Sequence, residues 1–270
     1  MTEIVDVWMQ HPTLRHAQHE MFDSLRRWTG TERPTEELPL DVTLSMMDDG
    51  GISVGLTAAW YGPEGHLISN DDVAGFVAQA PERLRGVAGA DIRKPMEGVR
   101  ELRDRVDQGF VALRLVPWLW NVPPTDRRFY PLYTACVDLG IPFCTQVGHT
   151  GPLQPSETGR PIPYIDQVAI DFPELSIVCG HIGYPWTSEM IAVADKHPNV
   201  CIDTSAYVAH RYPDELVAYL KGRGKDKVMF GTNYPMITGS EALKRLSELE
   251  LNAETTEAFL SGNARRVFNL

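Results

Sequence analysis

Residues 175–204 read LSIVCGHIGYPWTSEMIAVADKHPNVCIDT and contain the pattern that decides the fold. Two short apolar runs with β-branched side chains, at 175–181 and 200–204, flank an amphipathic stretch at 187–196. Runs of this kind are typical of parallel strands that are buried on both faces by crossover helices. The stretch therefore predicts two neighbouring parallel strands connected by a helix.

The same pattern extends in both directions from this unit. Further strands are predicted at residues 4–8, 53–60, 84–90, 110–116, 142–146 and 227–231. Helices are predicted at residues 71–80, 96–107, 127–139, 165–172, 187–196, 214–221 and 240–249, the first opened by the capping residues Ser69 and Asn70. Eight strands alternating with helices over 270 residues favour one α/β domain, a closed (β/α)8 TIM barrel spanning residues 1–270.

The charge balance narrows the range of partners. The chain has 36 Asp and Glu against 25 Lys and Arg, a formal net charge of -11. Such a surface repels phosphate backbones and anionic membranes. We therefore expect a small-molecule substrate, no nucleic acid and no membrane partner.

The compartment is inferred from the cysteines and the N-terminus. Cys136, Cys144, Cys179 and Cys201 show no Cys-x-x-Cys spacing, and we interpret them as reduced core thiols. The first residues lack a basic region followed by an apolar one, and no apolar run approaches the roughly 18 residues of a membrane span. These features predict a cytoplasmic protein.

Residues 11–39 form the longest segment between predicted strands. The segment is polar and aromatic, and it leaves the C-terminal end of the first strand. Active sites of (β/α)8 barrels are built at that end. We therefore predict that this long loop is a lid or a wall of the active site.

Several phrases follow one another in an order that identifies a family. They are LSMMDDGGISVGLTAAW (44–60), SNDDVAGFVAQAPERLRGVAGAD (69–91), LSIVCGHIG (175–183), VCIDTSA (200–206), KVMFGTNYP (227–235) and LSGNARRVFNL (260–270). Together they resemble the amidohydrolase-related family of metal-dependent hydrolases and decarboxylases. The resemblance implies a (β/α)8 barrel with an active site at the strand ends.

The resemblance also implies metal ligands, which this chain largely lacks. In the family these are His-x-His or His-x-Glu after the first strand, His on the fifth and sixth strands, and Asp after the eighth. The corresponding residues here are Trp8, Gln10, Gln146, His181 and Asn233. An indole coordinates no metal, and neutral amides do not balance a divalent charge. We therefore predict no metal and no other cofactor.

One alternative keeps a metal at a shifted position. His11 directly follows a lost ligand position, and His149 lies three residues beyond another. Both could join His181 around a divalent ion such as Zn²⁺.

Ten residues at the predicted strand ends form the candidate site. We predict catalytic roles for His181, His149, Asn233 and Gln146, and substrate-binding roles for Arg114, Trp8, Gln10, His11, Trp118 and Tyr234. Arg114 lies in the apolar run VALRLVPW, where an unpaired charge is costly. It requires either an internal partner, namely Asp203, Asp91 or Asp6, or the carboxylate of a substrate.

The predicted function is metal-independent hydrolysis of a lactone or amide in a small cyclic or aromatic carboxylate. A histidine would act as general base or acid, while Gln146 and Asn233 donate hydrogen bonds to the developing oxyanion. One alternative is decarboxylation of an aromatic or unsaturated acid that Arg114 orients. Another is a non-catalytic relative that binds a small molecule. A homodimer is expected from the family resemblance alone.

Overall fold

The computed structural model describes residues 3–270 and contains a parallel barrel. Its eight strands pair in the order β1-β2-β5-β6-β7-β8-β9-β10, and a separate hairpin is formed by β3 and β4. The strands are β1 Val5–Met9, β2 Val54–Ala58, β3 Trp60–Gly62, β4 Gly65–Ile68, β5 Leu84–Ala88, β6 Ala112–Leu115, β7 Phe143–Gln146, β8 Ile177–Gly180, β9 Val200–Asp203 and β10 Val228–Met229.

The barrel closes between the last strand and the first. The backbone N–H of Val7 donates to the carbonyl of Phe230 at 3.1 Å, and that of Asn233 donates to the carbonyl of Trp8 at 2.7 Å. All eight barrel strands are buried along nearly their whole length. The predicted α/β TIM barrel is confirmed, and each of the eight predicted runs overlaps a barrel strand.

Helices connect the strands on the outside of the barrel. Their bounds are α1 Leu14–Gln18, α2 Asp23–Thr29, α3 Leu40–Asp49, α4 Asn70–Gln79, α5 Pro95–Asp107, α6 Pro117–Trp120, α7 Tyr130–Leu139, α8 Asp166–Asp171, α9 Thr187–Lys196, α10 Asp214–Lys221, α11 Gly239–Ala242, α12 Ala253–Glu257 and α13 Asn263–Phe268. The predicted cap of α4 is present, because the Ser69 side chain accepts from the backbone of Asp72 while Asp72 accepts in return.

Two local expectations needed correction. The helix predicted at residues 240–249 consists of α11 and a separate 3-10 turn at Leu246–Leu249. Arg245 has a φ of 62° in the left-handed region, which ends the α-helical path between them. The end of the strand predicted at 53–60 instead begins the β3–β4 hairpin, which the sequence analysis did not anticipate.

The interior of the barrel is closed at one end and open at the other. Inward-facing side chains from all eight strands form an apolar core, and Ala264, Val267 and Phe268 of α13 join it near the starts of the strands. The strands run toward the opposite end, where the segment 11–39 folds into α1, a 3-10 turn and α2. Within residues 3–270, buried polar side chains that include Gln10, Gln146 and His181 lie at that end of the barrel.

The four cysteines are buried and free, as predicted. In residues 3–270, none of the helices has the length and apolar character to cross a bilayer.

Candidate functional site

A cavity of about 400 Å³ opens at the C-terminal ends of the strands. Seven of the ten predicted site residues line it: Trp8, Gln10, Trp118, Gln146, His149, His181 and Asn233. A second cavity of about 520 Å³, formed mostly by the loops, shares Trp60, Trp118 and Pro152 with the first. The strand ends therefore bring together most of the residues that were predicted separately.

His181 follows β8, and its ring is hydrogen-bonded by a residue that follows the neighbouring strand, β9. Its Nδ1 lies 2.8 Å from the Ser205 hydroxyl, and the backbone N–H of Ser205 donates to Asp203 Oδ1 at 2.8 Å. In the tautomer that donates from Nδ1 to the Ser205 hydroxyl, Nε2 of His181 is the acceptor nitrogen.

Burial controls the protonation of this group. Burial first, and then the positive charge of Arg114, lower the pKa of His181 to about 3. Burial raises the pKa of Asp203 to about 6, against the hydrogen bonds from Ser205. His181 is therefore a neutral imidazole near neutral pH, and it can accept a proton but has none to donate as an imidazolium.

Arg114, on β6, lies beneath the cavity floor and not on its wall. Its Nη2 donates to Gln10 Oε1 at 2.7 Å, while Nη1 is buried without a partner. Its Cζ lies 4.7 Å from the ring centre of Trp8 and 5.7 Å from that of Trp60. No ion pair to Arg114 occurs in the part of the chain that the structure describes, so the predicted pairing with Asp203, Asp91 or Asp6 is absent. Burial lowers the pKa of Arg114 to about 10, and the side chain remains charged.

A third part of the wall is formed by Gln146 at the end of β7. Trp118 donates its indole N–H to Gln146 Oε1 at 2.8 Å, and Gln146 Nε2 donates to the carbonyl of His149 at 3.2 Å. The Gln146 amide is thereby fixed with one N–H still free to face a ligand. The His149 ring packs edge-on against Tyr184, 5.7 Å between centres, at the cavity rim.

Besides Arg114, two predicted substrate-binding residues lie outside the cavity. His11 hydrogen-bonds Thr43 Oγ1 at 2.7 Å and the carbonyl of Leu38 at 3.0 Å, and it packs against Phe76. The Tyr234 ring faces a separate groove beside α3, and only its backbone carbonyl reaches the site, where it accepts from Gln10. Helix α3 offers partners to both side chains, and no sequence pattern indicates this.

The donors around His181 do not fit a divalent cation. Within residues 3–270, no three His, Cys, Asp or Glu side chains come together as a cation site, and the shifted set fails because His11 is turned toward Thr43. The Trp8 ring lies 5.3 Å from the His181 ring, and a Cβ on Gly180 would come within 2.8 Å of Trp8 Cζ3. A neutral indole, backed by the cationic Arg114, thus stands beside His181 where anionic ligands would be needed.

Sequence reasoning missed His16, which lines the cavity from α1. Its side chain is 1% exposed, and neither ring nitrogen has a hydrogen-bond partner. Trp60 and Ser205 stood at predicted strand ends but were given no role. The available signal for His16 was its position in the long segment predicted to cover the barrel mouth.

Comparisons with known proteins agree with this architecture. The model of the Amidohydrolase family matches residues 38–270. An uncharacterized TIM-barrel protein from Bordetella bronchiseptica has 26% identity and a TM-score of 0.85, with 99% of this chain and 98% of that chain covered. A probable 2-pyrone-4,6-dicarboxylic acid hydrolase from Acinetobacter baumannii has 16% identity and a TM-score of 0.69, with 100% of both chains covered.

A further solved structure, 2,6-dihydroxybenzoate decarboxylase from Rhizobium, has 17% identity and a TM-score of 0.73, with 100% of this chain and 99% of that chain covered. At such identities, the hydrolase and the decarboxylase establish a shared fold alone. The family match spans most of the sequence, including every barrel strand from β2 onward. This chain belongs to the amidohydrolase family.

Proposed function

We propose that this protein is a metal-independent hydrolase that opens a lactone or amide bond in a small cyclic or aromatic carboxylate. The observation that carries the proposal is the combination of a neutral His181 on the cavity wall, oriented by Ser205, with the unpaired charge of Arg114 beneath the cavity floor. An acceptor on the wall and a buried cation beneath the floor match a substrate that has both a carboxylate and an electrophilic carbonyl.

The substrate carboxylate would bind on the floor above Arg114. Trp8 and Trp60 line that floor, and each has a buried indole N–H without a partner. A carboxylate there would accept from these donors and neutralise the guanidinium beneath them. Because the charge of Arg114 contributes to the low pKa of His181, its neutralisation would also raise that pKa toward the working range.

The chemical step then needs no group beyond these residues and water. His181 Nε2 would take a proton from water as its oxygen bonds to the carbonyl carbon. The free N–H of Gln146 and the amide of Asn233 would donate to the oxyanion, each worth roughly 2.7–4 kcal/mol when well placed. As the carbon–oxygen or carbon–nitrogen bond of the ring breaks, the imidazolium would return its proton to the leaving atom.

The test is a panel of γ- and δ-lactones and cyclic amides that each carry one carboxylate. We expect turnover that survives exhaustive chelation and that falls by about 10²- to 10⁴-fold in His181→Gln. His66→Gln, an exposed histidine in β4, is the matched control and should match the wild type. Activity that collapses on chelation and returns with Zn²⁺ or Mn²⁺ would contradict the metal-independent proposal.

Decarboxylation is the second candidate. Solved structures of similar fold include 2,6-dihydroxybenzoate decarboxylase and 5-carboxyvanillate decarboxylase. In that version Arg114 would orient the acid, and a histidine would protonate the ring carbon. The neutral state of His181 supports this less well. Release of CO2 from aromatic acids without ring opening of any lactone would favour it, and binding without turnover of either class would favour a non-catalytic relative.

A further inference from the structure

His16 differs from the other buried histidines in having no partner. His11 bonds Thr43, His181 bonds Ser205 and His197 bonds Asp166. Both nitrogens of His16 are unpartnered although the side chain is 1% exposed. Buried polar groups are almost always hydrogen-bonded, so an unsatisfied one that lines a cavity calls for a partner in that cavity.

Packing holds the His16 ring in place without satisfying it. The ring centre lies 4.7 Å from that of Phe22 and 5.2 Å from that of Trp60. Trp60 in turn lies 5.7 Å from the Cζ of Arg114, so one continuous cluster joins His16 to the buried cation. A ligand held above Arg114 therefore has His16 within the same small space.

The charge state of His16 selects the kind of atom it can bind. Burial first, and then the positive charge of Arg114, lower the pKa of His16 to about 3. A neutral imidazole offers one N–H donor and one acceptor nitrogen. That pair suits a hydroxyl or a carbonyl oxygen, whereas a second carboxylate would leave the acceptor nitrogen facing a negative charge.

We infer that His16 is a specificity-determining residue that hydrogen-bonds an uncharged oxygen substituent of the substrate. This inference rests on the proposed function, because it places the substrate carboxylate above Arg114. It makes the segment 11–39 a part of the binding site itself and not only its cover. The preferred substrate class is a small ring carboxylate that also carries a hydroxyl or carbonyl oxygen.

The experiment uses benzoate and the 2-, 3- and 4-hydroxybenzoates as probes in isothermal titration calorimetry. We expect the wild type to bind at least one hydroxybenzoate about tenfold more tightly than benzoate. His16→Phe keeps an aromatic ring beside Phe22 and Trp60, and should remove that preference while changing benzoate affinity by less than about twofold. His66→Phe makes the same substitution on the exposed β4 strand and should retain it.

A conservative variant protects the test against misfolding. His16→Gln keeps a donor and an acceptor and should retain the preference to within about threefold. The inference is overturned if no hydroxybenzoate binds better than benzoate, or if His16→Phe weakens all four probes equally. Benzoate binding that depends on Arg114 but shows no His16 effect refutes this inference alone, whereas a wild type that binds none of the probes refutes the proposed carboxylate site as well.

Discussion

The cavity wall at His181 (the His181 side) and the cavity floor above Arg114 (the Arg114 side) are both buried. They differ in how far the chain itself hydrogen-bonds their polar groups. On the His181 side, Nδ1 meets the Ser205 hydroxyl and the Ser205 backbone N–H meets Asp203 Oδ1, so the chain itself supplies the partner of His181, although Asp203 Oδ2 has none. On the Arg114 side, the indole N–H of Trp8 and the Nη1 of Arg114 have no partner.

The difference separates orientation from binding. A side chain whose back is fully hydrogen-bonded has one orientation, which is what a group that must act at a defined point requires. Donors left open in a buried place cost stability unless a ligand or water satisfies them. We therefore interpret the His181 side as the reactive one and the Arg114 side as the one that holds the substrate.

The largest effect should come from removing the charge on the binding side. In Arg114→Met, benzoate affinity should fall by about 100-fold. A guanidinium about 6 Å from the benzoate carboxylate, at an effective dielectric of about 20, attracts it by about 3 kcal/mol. The free energy of unfolding should stay level or rise, since Met removes a buried charge that has no ion pair. Calorimetry and urea denaturation measure the two quantities.

Arg93→Met is the matched control for that substitution. Arg93 also stacks on a tryptophan, with its Cζ 5.6 Å from the Trp120 ring, but it is half exposed and pairs with Asp91. Its loss should leave benzoate affinity within about twofold of the wild type. If Arg114→Met does so too, the two sides of the cavity do not differ as described.

On the reactive side, Ser205→Ala should slow turnover and spare binding. Without the hydroxyl, Nδ1 of His181 loses the partner that orients its ring, and we expect kcat to fall by about 30-fold with KM within about threefold. Steady-state kinetics on the best lactone of the panel measure kcat and KM separately. Thr204→Ala is the control, because the Thr204 hydroxyl bonds the carbonyl of Met229 and not His181. Equal losses in both variants would assign Ser205 a purely structural role.

The pH dependence of the free energy of unfolding tests whether His16 is buried and neutral in the folded protein. The unfolded chain protonates this imidazole below about pH 6.5, whereas the folded protein resists until about pH 3, so stability falls as the pH drops through that window. His16→Phe removes this proton uptake. The loss of unfolding free energy between pH 7.5 and 5 should therefore be about 2 kcal/mol smaller in the variant than in the wild type. Urea denaturation at both pH values measures it, and equal losses would mean that His16 is solvated.

The fold was largely predictable because parallel strands buried on both faces leave continuous apolar runs in the sequence. The bounds of α9 and α10 were predicted to the residue, because each helix is amphipathic and lies between two apolar strands. The β3–β4 hairpin and the break at Arg245 were not, because both depend on only a few residues of local backbone geometry.

The site residues also fall into those that the sequence predicts and those that it does not. Trp8, Gln146 and His181 could be placed because strand ends converge at one end of any closed barrel. The five-residue helix α1 has too few turns to show periodicity, so the direction of His16 could not be inferred. His11, in the loop after β1, turned away because Thr43 of α3 supplies a hydrogen bond that no spacing in the sequence reveals.

The smallest expected effect concerns Gln146, in the wall between the two sides. It tests whether Gln146 acts in the reaction, with His181, or in binding the acid, with Arg114. Trp118→Phe removes the donor to Gln146 Oε1 and frees the amide to rotate. If Gln146 donates to the oxyanion, kcat should fall by about fivefold, benzoate affinity should change by less than about twofold, and the protein should lose about 1 kcal/mol of stability. Trp120→Phe is the control, because the Trp120 indole N–H has no partner to lose. A drop in benzoate affinity with kcat unchanged would instead place Gln146 with Arg114, because a group that orients only the bound acid acts before the reaction begins.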